Sequence, residues 1–177
     1  MNKVVFFDRD GVVNRRIVGD YVKKIDEFEF MDGFADVFSA IKNAGYMAIL
    51  VTNQQGIGKG IMSDHDLRVV HEYMQRELKT MTGHQFDDIY YCSHLEGSGS
   101  KYRKPAPGMI LDAIEKWDVD TASSWMIGDS PKDATAAKKA GVRTILIGNH
   151  RPIEMTDADH IFDNIKIAGD FLKDHLK

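Results

Sequence analysis

Residues 3–14 read KVVFFDRDGVVN, and the fold turns on how that stretch is parsed. Val4 to Phe7 run unbroken into Asp8, Arg9, Asp10 and Gly11. An uninterrupted apolar run of this length marks a strand buried on both faces, as in a parallel sheet. The aspartates then sit at the strand's carboxyl end, where open parallel sheets bind their ligands. If the strand persists through residue 10, Asp8 and Asp10 project to one side, because side chains alternate with period two.

The same grammar repeats along the chain. DGFADVFSAIKNAGY (32–46) is predicted helical, with Phe34, Val37, Phe38 and Ile41 inward, Asp32 as N-cap and Gly45 at the end. MAILVT (47–52) is a second strand. SDHDLRVVHEYMQRELKTM (63–81) is a helix capped by Ser63 and striped by Leu67, Val70, Met74, Leu78 and Met81. DDIYYCSH (87–94) is a third strand, and GMILDAIEKWDV (108–119) a helix with Ile110, Leu111, Ile114 and Trp117 inward. SSWMIGDS (123–130) supplies a fourth strand, and Pro131 opens the helix that follows. RTILIGNH (143–150) and HIFDN (160–164) are the last strands, before a terminal helix over 165–177. Such alternation implies an α/β protein: a Rossmann-like parallel sheet with helices on both faces, in one domain over 1–177.

Composition narrows the function. Hydrophobic residues make up 43% and charged residues 28%, with a net charge of −4. No broad basic surface for nucleic acid or anionic membrane is advertised. No apolar run approaches the ~18 residues that span a bilayer, and no leader pattern opens the chain. Cys92 is the one cysteine, which excludes an intrachain disulfide framework and makes a reducing cytoplasm the simplest compartment. Two long loops, NRRIVGDYVKKIDEFEF (14–30) and HLEGSGSKYRKPAPG (94–108), are expected to carry function.

Three apolar runs end in polar clusters: Asp8 and Asp10; Thr52, Asn53, Gln54 and Gln55; Gly128, Asp129 and Ser130, with Asp133 one turn on. Parallel topology brings them to one edge. Converging carboxylates repel one another unless a cation intervenes, and an all-oxygen site suits Mg²⁺, which usually serves a phosphate. Arg103 and Lys104 can reach the same edge. Each aspartate taken singly reads better as a turn residue or a helix cap; three at successive strand ends do not. No G-x-x-x-x-G-K-[ST] occurs, and Gly56, Gly58 and Gly60 read as turn residues. The histidines (His65 and His71 among them) lack metal-ligand spacing, and the methionines, Trp117 and Trp125 read as packing residues.

In combination, FFDRDGVVN, VTNQ, RKP and IGDSPKD resemble the four motifs of the haloacid dehalogenase (HAD) superfamily of phosphohydrolases. That resemblance implies Asp8 as nucleophile, Asp10 as general acid and base, and Mg²⁺ held by Asp8, the Asp10 carbonyl and Asp129. It places Thr52 and Lys104 on the phosphoryl group and Asp133 behind the metal. Within the superfamily, GDYVKKIDEFEFMDG, VTNQQGIGKG, DDIYYCSH and YRKPAPGM look like the essentially capless D,D-heptose bisphosphate and histidinol phosphatases. Substrate contacts are then expected from Asp20, Tyr21, Asn53, Gln54, Gln55 and Arg103, and a monomer is expected. That subgroup often binds zinc through a C-x-H and a later C-x-C. Here Cys92 and His94 match the first half while EGSGSKY replaces the second, so no zinc is expected. Ser130 also departs from the subgroup, standing where lysine is frequent. The resemblance implies hydrolysis of the 7-phosphate of a heptose bisphosphate. Histidinol phosphate, a 3′-phosphorylated polynucleotide, or an inactive phosphosugar-binding module are the alternatives.

Overall fold

The computed structural model describes residues 1–150, 153 and 156–176. Six parallel strands form one sheet in the order β3-β2-β1-β4-β5-β6. They are β1 (Val4–Phe7), β2 (Met47–Asn53), β3 (Asp88–Cys92), β4 (Trp125–Gly128), β5 (Arg143–Ile147) and β6 (His160–Phe162). The chain builds outward from β1 to β3, then returns to pair β4 on the other side of β1. This switch opens a crevice beside the carboxyl end of β1.

The helices are α1 (Phe34–Asn43), a single turn α2 (Gln55–Gly58), α3 (Asp64–Thr82), α4 (Gly108–Trp117), α5 (Pro131–Lys139) and α6 (Ile165–His175). Val5 and Phe7 face a core shared with α1, α3 and α6, while Val4 and Phe6 face one shared with α4 and α5. The rings of Phe34, Phe38 and Phe86 enclose Phe7 at centroid distances of 5.7, 6.1 and 5.6 Å. Phe7 is fully buried, so the residue before Asp8 is locked by aromatic packing. Among the described residues no helix is long and apolar enough to cross a membrane.

Several expectations are corrected. Asp32 does not cap α1: Gly33, in the left-handed region at φ 80°, occupies that position without a side-chain cap, and Asp32 instead faces Arg15 at 3.5 Å. Met81 and Leu111 are about half exposed, at the margins of stripes otherwise turned inward. Gly56 and Gly58 lie within α2 rather than in an open turn, and only Gly60 has positive φ. The 3₁₀ turns Ile25–Glu27 and Thr121–Ser123 were not anticipated. Lys177, the predicted end of the last helix, lies outside the described residues. Two expected helix starts hold: Ser63 caps α3 in a reciprocal capping box with Asp66, and Pro131 is the first residue of α5.

Candidate active site

The strand stops at Phe7, so Asp8 and Asp10 are not aligned by strand pleat as the sequence suggested. A tight turn brings them together instead. The Arg9 carbonyl accepts from the N–H groups of Val12, Val13 and Asn14, and Gly11 N–H donates to the Asn14 carbonyl at 2.7 Å. Gly11 adopts φ 92°, and a Cβ there would collide with the Asp129 carboxylate. Glycine is therefore required twice over, by conformation and by the approach of Asp129. Asp8 and Asp10 both line a cleft of about 410 Å³, together with Lys104 and Asp133. That is an ordinary volume for a small-molecule site.

Lys104 is the central cation. Its Nζ lies 2.9 Å from Asp8 Oδ1, 2.6 Å from Asp133 Oδ1 and 2.7 Å from the Val51 carbonyl, with all three donors engaged. Burial opposes its charge, but Asp133 and Asp8 more than compensate and hold the ammonium protonated. Asn53 clamps this residue from the backbone: its amide donates to the Lys104 carbonyl and accepts from the Lys104 N–H, each at 3.0 Å. Asn53 thus lines the cleft with its amide already committed to Lys104.

Asp133 serves two roles. Its Oδ2 accepts from the N–H groups of Asp129 and Ser130, completing the capping box of α5, while Oδ1 takes Lys104. Gly128 has no space for a side chain because Asp133 packs directly against it. Ligand atoms of Asp8, Asp129 and Asp133 all lie within 4.8 Å of one another. Burial, then the neighbouring Asp8 charge, pushes the Asp129 carboxyl up to about 7. Burial also lifts Asp8 to about 6, against the pull of Lys104. Two carboxyls that resist ionisation side by side are what a divalent, oxygen-seeking cation would relieve, so the donors fit such an ion. Asp133 is saturated by its existing partners; Asp8 Oδ2 and Asp129 are better placed to ligate.

Asp10 behaves differently. Burial pushes its carboxyl up, but the Arg9 guanidinium and hydrogen bonds from Asn14, Arg9 and Gln54 outweigh this and hold it below the usual range. Arg9 and Asn14 donate to Oδ1 at 3.0 Å each, and Gln54 to Oδ2 at 2.9 Å. Gln54 Nε2 also donates to Thr52 Oγ1 at 2.9 Å, leaving the threonine proton free to donate elsewhere. Thr52 and Gln54 are buried beneath the cleft, whereas Gln55, Arg103, Asp20 and Tyr21 line it. Asp20 accepts from Lys23 at 2.6 Å and from the Tyr21 N–H at 2.8 Å, and Arg103 reaches Gln55 Oε1 at 3.3 Å.

Sequence reasoning missed several participants. Arg9 is wholly buried and its Nη1 meets His71 Nε2 at 3.3 Å. Burial, reinforced by Arg9, drives His71 down to about 3, so its neutral ring accepts from the guanidinium. Arg16, Lys59 and Lys132 also line the cleft. Lys132 supplies a cation two positions after Ser130 and pairs with Glu96 on the 94–108 loop. At the would-be zinc loop, Cys92 Sγ, His94 Nδ1 and Ser100 Oγ form a mutual contact of 3.4–3.8 Å.

Comparison with known proteins matches this architecture. Residues 101–168 fit the HAD-hydrolase-like family model. A D-glycero-beta-D-manno-heptose-1,7-bisphosphate 7-phosphatase of Pasteurella multocida is 40% identical over 160 residues, covering 86% of this chain and 85% of the relative. The corresponding alpha-anomer enzyme of Burkholderia mallei is 41% identical, covering 82% and 79%. The crystal structure of D,D-heptose 1,7-bisphosphate phosphatase from B. bronchiseptica, complexed with magnesium and phosphate, superimposes with a TM-score of 0.87 at 31% identity. It covers 96% of this chain and 97% of that one. The fold is therefore the HAD fold in its essentially capless form, and the chain is a phosphatase of that superfamily. It belongs to the family of the heptose-1,7-bisphosphate 7-phosphatases.

Proposed function

We propose that this chain is a magnesium-dependent phosphomonoesterase that removes the 7-phosphate of a heptose 1,7-bisphosphate. The observation that carries the reading is the Asp8–Lys104 pair, buried at the floor of a cleft whose rim is cationic. A dianionic phosphate cannot approach a carboxylate unless positive charge offsets the repulsion, and Lys104 is fixed there for that purpose.

In this reading an Asp8 carboxylate oxygen attacks phosphorus in line. The bond from phosphorus to the sugar oxygen breaks, and Asp10 protonates the departing alkoxide. Asp10 then takes a proton from water, whose oxygen attacks phosphorus and releases inorganic phosphate and free Asp8. Asp10 is held ionised in the free protein; a phosphate dianion beside it raises its proton affinity, as an acid-then-base group requires. Thr52 and Lys104 hold the transferring group. Asp8, the Asp10 carbonyl and Asp129 would hold Mg²⁺, which supplies charge neutralisation at the phosphoryl oxygens. Asp133 fixes both Lys104 and the backbone of Asp129. The exposed Asp20 and the half-buried Tyr21, with Gln55 and Arg103, are assigned to the sugar and its distal phosphate. Gln54 is assigned to orienting Asp10 and Asn53 to orienting Lys104. The same reading takes residues 1–177 as one catalytic domain, acting as a cytoplasmic monomer.

Relatives are named for both anomers, so the test compares the two. The test is phosphate release from both heptose bisphosphate anomers, fructose 1,6-bisphosphate, histidinol phosphate and a 3′-phosphorylated oligonucleotide. Highest kcat/KM on a heptose bisphosphate, requiring Mg²⁺, is expected. Preference for the oligonucleotide or histidinol phosphate would replace the substrate; no turnover on any would favour a binding module.

A further inference from the structure

Arg16 has no part in the phosphoryl transfer described above, yet it occupies a telling position. Its Nη2 donates to Asp129 Oδ1 at 2.9 Å and reaches the Asp10 carbonyl at 3.4 Å. Those are two of the three oxygen donors assigned to the divalent ion. We propose that Arg16 is a resident counter-cation of the metal seat, bridging the Asp10 carbonyl and Asp129 in the metal-free protein and giving way when a divalent cation binds. The proposal rests on the metal reading above and adds a determinant of metal affinity.

Three observations support it. The carboxylates facing this point repel one another, and the Arg16 charge is one of the two that hold Asp129 down against that repulsion. The other is Lys104, whose side chain is 3% exposed and bound by three partners, so it cannot move aside. Arg16 is 50% exposed and stands in a loop whose next residues include Val18, 95% exposed, and Gly19, where an added Cβ would meet nothing within 4 Å. Its displacement breaks one half-exposed ion pair and disturbs no core packing. A guanidinium and a divalent ion held at the same two groups repel each other at close range, so the two compete for the seat. Arg16 therefore keeps the seat assembled without metal and lowers the affinity of the metal that replaces it.

The experiment is titration calorimetry with MgCl₂ on the wild type, Arg16→Gln, Lys59→Gln and Asp129→Asn. Melting curves in EDTA and in saturating Mg²⁺ accompany it. Lys59 lines the same cleft without touching Asp129, so it reports the generic effect of removing a positive charge. Arg16→Gln is expected to bind Mg²⁺ ~2- to 5-fold more tightly, the equivalent of one half-exposed ion pair. It should also melt below wild type in EDTA but alongside it in Mg²⁺. Equal or weaker binding by Arg16→Gln, or an equal gain in Lys59→Gln, would overturn the proposal while leaving the metal reading intact. If the wild type binds no Mg²⁺, or Asp129→Asn binds it undiminished, the metal reading itself fails and this inference with it.

Discussion

The Lys104 ammonium sits 2.9 Å from the Asp8 carboxylate across 96 positions of sequence, with both side chains almost wholly removed from water. Neither charge is tolerable there alone. Truncating one member of a buried pair typically costs about 3–5 kcal/mol, because the other is left desolvated and uncompensated. Lys104→Met is therefore expected to lose roughly that much stability in denaturant titrations without metal, and to lose turnover as well. Stability within 1 kcal/mol of wild type (roughly the worth of an exposed pair) would mean the pair is far better hydrated than its burial indicates.

Asp8→Asn keeps the shape and removes the nucleophile. Turnover should vanish while circular dichroism and the melting transition stay close to wild type, since an amide still accepts from Lys104 and Asp133 keeps that ammonium paired at 2.6 Å. Activity near the wild-type level would refute the assignment of Asp8.

Gly11→Ala forces a Cβ into left-handed backbone and against Asp129. The conformational cost alone is about 1 kcal/mol or more. Weaker Mg²⁺ binding by calorimetry should accompany it, because Asp129 must move.

His71 gives the protein an acid-sensitive limb. Its folded value, about 3, lies below the ordinary 6.5. Between those values the unfolded chain binds the extra proton, so this contribution to stability is complete above about pH 6.5 and is lost as pH falls toward 3. His71→Gln still offers Arg9 an acceptor but cannot titrate. Urea denaturation between pH 4 and 7 should show a flatter acid limb for the variant; identical slopes would show that His71 titrates normally.

A zinc prediction follows from Cys92, His94 and Ser100. A thiol and an imidazole leave a tetrahedral site half-filled, and a serine hydroxyl is not among the usual zinc ligands. Elemental analysis of the purified protein should find no full equivalent of zinc, and Cys92→Ser should remain folded.

The sheet was legible because fully buried parallel strands leave continuous apolar runs, and the polar residues after Phe7, Val51 and Ile127 stood out against them. Asp8, Asp129 and Asp133 were nameable from those positions and Lys104 from the RKP loop, and the structure draws them together. The turn after Phe7 was not legible, since strand alternation and a Gly11-dependent turn predict the same shared side for Asp8 and Asp10. Asn53 and Gln54 looked like substrate contacts because polarity alone does not reveal that an amide is spent on Lys104 or Asp10. Arg9 carried an unused signal: between two aspartates facing the cleft, its side chain had to point inward, where it needed a partner such as His71. Arg16 carried none, because its reach to Asp129 depends on tertiary approach across 113 positions. Asp32 failed as a cap because Gly33 took the left-handed conformation at that corner.

The 14–30 loop is fastened at both ends, where the Arg15 N–H donates to the Glu29 carbonyl at 2.8 Å, and is free only at its tip. Phe28 and Phe30 pack edge-on at 4.9 Å, and Phe28 meets Tyr73 of α3 at 5.9 Å, whereas the stretch around Val18 and Gly19 stands free in solvent. Under the proposed assignment of Asp20 and Tyr21 to the sugar, mutations near that free tip would retune sugar preference at little thermodynamic risk. A lineage could drift between anomers or neighbouring phosphosugars there while its chemistry stays untouched beneath.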